Sequence, residues 1–129
     1  MPVRPLSPHA GAYKFKYTIV SSFLNRLTGI GLSLGLIPLV IWLMALANGP
    51  KAYEAAAVML ANPFFKLIYV GVAFSFSYHL VAGIRHLVWD TGRGLEKRQS
   101  QQSAWAVIIV AVVLTAALVF TLIRYRGLA

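Results

Sequence analysis

The charged positions of the chain are few and bunched, and long stretches between them carry none. No Asp, Glu, Lys or Arg occurs in residues 27–50, 67–84 or 99–123. A helix needs roughly 20 mainly apolar residues to cross the hydrocarbon core of a bilayer, and each of these runs matches that length. Apolar residues surround each predicted helix on every face, with no charged outer side of the kind a soluble bundle requires. The pattern predicts an all-α integral membrane protein with three transmembrane helices, over about residues 22–47, 64–89 and 104–123. Asn48-Gly49-Pro50 is a strong stop after the first span. Residues 51–63 read as a short interfacial connection, helical over 53–61. Asp90-Thr91-Gly92 ends the second span, and 93–103 reads as a polar loop. Residues 1–17, with Pro2, Pro5 and Pro8, form an extended arm.

Composition supports this reading. The 129 residues make one membrane-anchor domain, 59% hydrophobic and only 12% charged. The net charge of +9 raises nucleic acid as a partner. No basic helix face interleaved with exposed aromatics is present, however, so none is expected. The basic residues cluster at span ends instead, where they meet lipid headgroups and set orientation. Arg4, Lys14, Lys16, Arg26, Arg85, Arg93, Lys97 and Arg98 fall on one side, and Lys51, Lys66, Arg124 and Arg126 on the other. The richer side is expected to be cytoplasmic, which places the N-terminus and the second loop inside and the C-terminus outside. The chain has no cysteine, which excludes disulfides and thiolate metal sites built by this chain. Residues 1–16 contain no apolar core, so no cleavable secretory signal is expected, and they lack the Arg-rich amphipathic pattern of a transit peptide.

Two polar clusters interrupt the apolar background. In the first, Ser22 and Arg26 are four residues apart and share a helix face with Gly29 and Ser33. Arg26 is open to two readings: a headgroup anchor that snorkels, or one of a hydroxyl–guanidinium donor pair suited to a carbonyl or carboxylate. Gly29 lets another helix or a flat ligand come close. In the second cluster, His79 lies within a span, where an ionisable group is a functional candidate. It is either bonded to a neighbouring helix or a metal ligand oriented by such a bond. His79, Ala82, Gly83, His86 and Asp90 read as one stripe, made flat for a planar ring by Ala82 and Gly83. Arg85 and His86 are expected where charged groups at the ring's edge would lie. A haem with its propionates towards the cytoplasm suits that arrangement. Both clusters are expected on one side of the membrane. The third span has only Thr115 and Thr121 as polar groups and reads as packing against lipid and its sister helices. Tyr78 reads as packing, and Trp42, Trp89 and Trp105 as aromatic-belt residues.

Three motifs carry a resemblance: Arg4-Pro5-Leu6-Ser7-Pro8-His9; Ser22-x-x-Asn25-Arg26-x-Thr28-Gly29; and His79-x-x-x-Gly83-Ile84-Arg85-His86-x-x-Trp89-Asp90-x-Gly92. Together they resemble the cytochrome b subunits of succinate dehydrogenase, the larger membrane anchors of succinate:quinone oxidoreductase (respiratory complex II). The resemblance covers the whole chain. It implies that His79 is the axial ligand of haem b iron, that Ser22 and Arg26 line the ubiquinone site, and that Arg26, Arg85 and His86 lie near the haem propionates. Asp90 matches an acid at the cytoplasmic helix end. Many members carry His at the position of Asn25, and an amide does not titrate.

The same resemblance implies a second membrane anchor subunit, an iron–sulfur subunit and a flavoprotein subunit as partners, in a bacterial inner membrane rather than a mitochondrial one. His79 is the one histidine well inside a span, so a six-coordinate haem would draw its second ligand from another subunit. Without a nucleotide motif or cysteine-ligated metal, the chain is not expected to catalyse alone. Two alternatives use the same membrane architecture: a cofactor-free anchor of a respiratory enzyme, and the anchor of a fumarate reductase. A transporter or channel subunit would need polar residues across the full membrane depth.

Overall fold

The computed structural model describes residues 17–126; the proline-bearing arm, with Arg4, His9, Lys14 and Lys16, lies outside them. Four helices follow in order: α1 Tyr17–Ala47, α2 Pro50–Leu60, α3 Pro63–Asp90 and α4 Lys97–Arg126. Three of them are long and apolar enough to cross a membrane. Only 6%, 17% and 11% of the residues in the apolar windows of α1, α3 and α4 are buried within the chain. Leu34, Leu36, Ile37, Val113 and Leu122 are among the many large apolar side chains left exposed. A surface of that kind is stable only against lipid or other apolar protein.

Local chemistry sets the helix ends. Asn48 closes α1 twice on one carbonyl: its backbone N–H donates to Met44 O at 3.1 Å and its Nδ2 donates to the same oxygen at 2.7 Å. Gly49 then takes φ 95°, and Pro50 starts α2 at a position where its missing N–H costs nothing. The stop expected from Asn48-Gly49-Pro50 therefore also starts α2, earlier than the residue 53 predicted. Asn62 caps α3 by accepting from Phe64 N at 2.9 Å, with Pro63 in the first turn. At the other end of α3, Gly92 and Gly94 adopt positive φ and turn the chain back. The 93–103 segment, expected as a loop, is helical from Lys97 onward. Ser100 and Ser103 are thus held on the first turns of α4.

α3 packs between α1 and α4. On its α4 side Tyr78, Ala82, Val107 and Ala111 form the buried core, with Leu24, Phe74, Val81 and Ile108 against it. On its α1 side the two backbones approach over glycines. A Cβ at Gly31 would lie 2.7 Å from Ser75 Oγ, and one at Gly35 would lie 2.8 Å from Val72 Cγ2. Without a hydrophobic driving force between helices in lipid, this close approach is what supplies van der Waals packing.

Candidate functional site

The site is built where the N-terminal third of α1 crosses the C-terminal half of α3. Tyr78 Oη donates to Ser21 O at 3.2 Å, which ties the two helices together. The polar clusters of α1 and α3 thereby come to one end of the molecule.

His79 sits in this seam, half-buried, with its ring against Gly29: a Cβ there would lie 3.3 Å from His79 Cε1. Its Nδ1 lies 3.1 Å from the backbone oxygen of Asn25. A carbonyl oxygen can only accept, so Nδ1 carries the proton and Nε2 presents a lone pair. Nε2 has no protein partner among the described residues. The two readings of His79 are therefore compatible, because one nitrogen is bonded to the neighbouring helix and the other is left unengaged among the described residues. This is the usual second-layer arrangement of a metal-binding histidine.

Asn25 also contributes its side chain. Nδ2 lies 3.4 Å from His86 Nε2, a long contact, while Oδ1 is buried without a hydrogen-bond partner among the described residues. His86 is exposed, about two helical turns beyond His79 on the same stripe, and its ring meets the edge of Trp89 at 5.2 Å between centroids. Gly83 has nothing within 4 Å of where a Cβ would be. Ser22 and Arg26 are exposed and, with Ile19 and Phe23, line a shallow groove on α1. Each is three residues from Asn25 or Gly29, hence on the adjoining strip of the helix. Asp90 is exposed at the last residue of α3.

Two residues expected on this face lie elsewhere. Ala82 is 2% exposed and packs in the core towards α4, so the open part of the stripe is provided by Gly83 alone. Arg85, expected beside a propionate, also turns towards α4 and is buried. Its Nε donates to Ser103 Oγ at 2.9 Å, Nη1 to Ser21 Oγ at 2.7 Å and Nη2 to Ser100 O at 3.0 Å. The guanidinium also lies 4.0 Å from the centroid of the Trp89 ring. The physical reason is angular: at 100° per residue, a residue six positions from His79 points about 120° away from it, whereas one seven positions away returns to within about 20°.

Sequence reasoning did not find Ser21, Ser100 and Ser103. Ser21 is adjacent to the noticed Ser22, and Ser100-x-x-Ser103 has helical spacing, but it sits in a segment that reads as loop. Trp89, expected as a belt residue, donates its Nε1–H to Gly94 O at 3.1 Å and so helps close the α3–α4 turn.

Comparison with known proteins gives a consistent picture. The sequence profile of the family described as "Succinate dehydrogenase/Fumarate reductase transmembrane subunit" matches residues 2–118. The chain is 38% identical over 122 residues to the succinate dehydrogenase cytochrome b556 subunit of Paracoccus denitrificans, covering 95% of this chain and 92% of that one. It is 34% identical over 113 residues to the cytochrome b556 subunit of Rickettsia felis, covering 87% of each. The mitochondrial cytochrome b560 subunit of Sus scrofa is 36% identical over 113 residues, 84% of this chain and 66% of that one.

Proposed function

The chain belongs to the succinate dehydrogenase/fumarate reductase transmembrane subunit family, and from that premise we propose that it is the haem b- and quinone-binding anchor of a succinate dehydrogenase. In this role it helps pass electrons from an iron–sulfur subunit to ubiquinone. The single observation that carries the proposal is the His79 Nδ1 contact with the Asn25 carbonyl, which leaves Nε2 as a free ligand in a seam cleared by Gly29.

His79 Nε2 would hold the iron, with His86 and Arg26 near the ring's edge. When bound, the haem would supply a one-electron redox centre. Gly83 leaves room beside the histidine stripe for a planar group. Arg26 and Ser22, both exposed on one groove, offer a guanidinium and a hydroxyl to a quinone carbonyl. Quinone takes up two electrons and two protons, and negative charge on its oxygen is stabilised best by donors already in place. Neither side chain needs burial in this chain alone, because the second anchor subunit and the iron–sulfur subunit would close the site. A flavoprotein subunit would complete the enzyme, and the bacterial relatives favour the cytoplasmic membrane as its location.

Substitution in the assembled complex tests both halves. His79→Ala is expected to abolish the low-spin b-type spectrum of normal axial ligation; its persistence would overturn the ligand assignment. Arg26→Ala is expected to lower succinate–quinone reductase activity at least tenfold, about 1.4 kcal/mol of transition-state stabilisation, while succinate oxidation with an artificial acceptor is retained. Unchanged quinone reduction would remove Arg26 from the site.

A further inference from the structure

Arg85 is a buried cationic side chain that the proposed chemistry leaves unused. Its charge meets no carboxylate in the contacts described above. Its nitrogens are taken up by neutral oxygens: Ser103 Oγ, Ser21 Oγ, and the backbone and hydroxyl oxygens of Ser100 at 3.0 and 3.3 Å. Ser103 Oγ in turn donates to Ser100 O at 3.1 Å, so the seat on α4 is itself fixed. Trp89 covers one face of the guanidinium. A guanidinium engaged this way joins three helices, since Ser21 is on α1, Arg85 on α3, and Ser100 and Ser103 on α4. The planar fork, with donors diverging at fixed angles, suits this task, and an ammonium cannot reproduce it.

Ser21 is held at two points. Arg85 takes its hydroxyl, and Tyr78, two turns earlier on α3, donates to its carbonyl. One helical turn beyond Ser21 on α1 is Asn25, whose carbonyl accepts the hydrogen bond from His79 Nδ1–H. Main-chain atoms one turn apart in a hydrogen-bonded helix move together. The register of α1 at Ser21 therefore sets where the Asn25 carbonyl stands relative to the imidazole.

We propose that Arg85 is a positioning residue: it locks α1 against α3 and α4 through Ser21, Ser100 and Ser103, and through Ser21 holds the Asn25 carbonyl on His79, without touching haem or quinone. The inference rests on the reading of His79 as an iron ligand only for its spectroscopic consequence; the clamp itself is tested separately.

The variants are Arg85→Lys, Ser21→Ala and Ser103→Ala in the complete complex. Ser21 and Ser103 are informative because they face Arg85 and lie off the His79 stripe, and each loses only a hydroxyl. The first readout is hydrogen–deuterium exchange of peptides covering residues 19–29, which needs no haem. Losing one hydrogen bond to a charged group is expected to speed exchange there about tenfold. The second is the low-spin haem signal in electron paramagnetic resonance, which reports imidazole orientation. All three variants are expected to retain haem and to shift that signal in the same direction. Combining Ser21→Ala with Arg85→Lys is expected to add little to Arg85→Lys alone.

If exchange is unchanged in all three, the clamp is wrong whatever the cofactor. If Arg85→Lys shifts the haem signal while both serine variants leave it at the wild-type position, Arg85 contacts the cofactor directly and the positioning role is overturned. If exchange rises but the signal stays fixed in all three, the coupling to His79 is overturned. A wild-type complex with no low-spin haem would instead defeat the proposed function, and the exchange result would still decide the clamp.

Discussion

At the residue scale, His79 is oriented by a main-chain atom, and this separates the two contributions of Asn25. Its carbonyl serves His79, while its side chain makes one long contact to His86 and leaves Oδ1 without a partner among the described residues. Removing the carboxamide deletes a weak hydrogen bond and an unsatisfied buried acceptor together, two effects of opposite sign and each about 1 kcal/mol. Asn25→Ala is therefore expected to leave the axial haem spectrum of the complex unchanged, in contrast to His79→Ala. A lost or high-spin spectrum would show that the side chain, and not the carbonyl, holds the ligand. The sequence displays His79, Ser22 and Arg26 because ionisable and hydroxyl groups stand out in apolar runs. It cannot display a carbonyl acceptor site, since every residue has one. Arg85 was legible in part: six-residue spacing from His79 already turns it off the stripe, but its serine partners on α1 and α4 are distant in the chain.

At the scale of elements, the α1–α3 seam depends on glycines, and the neighbour each one faces decides its cost. A Cβ at Gly35 would fall 2.8 and 3.0 Å from the two Cγ atoms of Val72. Valine is stiff at χ1 in a helix, so the helices themselves must separate. A Cβ at Gly31 meets Ser75 Oγ at 2.7 Å, the tip of a side chain that can rotate away. Alanine also improves helix propensity by about 1 kcal/mol in water, which offsets a small clash but not overpacking, typically about 1–3 kcal/mol. Gly35→Ala is expected to lower the unfolding temperature of the purified complex, and Gly31→Ala to leave it nearly unchanged. Adding Val72→Ala should restore part of the loss. Simple addition of the two single effects would rule out the contact as the cause. The three long helices were legible because an uncharged run of that length has no polar face to give to water, and lipid is the solvent it suits. The early start of α4 was not, because Lys97–Ser103 is polar and a polar turn extending a membrane helix resembles a loop in sequence.

At the scale of the whole molecule, the polar clusters converge at the end where the α3–α4 turn lies, and the α1–α2 connection lies at the other. The basic residues divide in the same way. Arg26, Arg85, Arg93, Lys97 and Arg98 flank the site end, whereas Lys51, Lys66 and Arg124 lie at the far end. Lys and Arg near span ends are retained on the cytoplasmic side, so the candidate site is expected to face the cytoplasm, where an iron–sulfur subunit could dock without crossing the bilayer. The absence of cysteine from this chain allows a direct test. Cysteines introduced singly at Lys51 and Glu96, both exposed and away from the site residues, can be treated with a membrane-impermeant maleimide in cells whose outer barrier has been opened. Lys51→Cys is expected to label in intact cells, and Glu96→Cys only after the inner membrane is lysed. The reverse pattern would put Ser22, Arg26 and His79 on the outer side. Electrons from a cytoplasmic dehydrogenase would then have to cross the apolar half of the bundle remote from the site, where Thr115 and Thr121 already spend their hydroxyls on their own helix backbone.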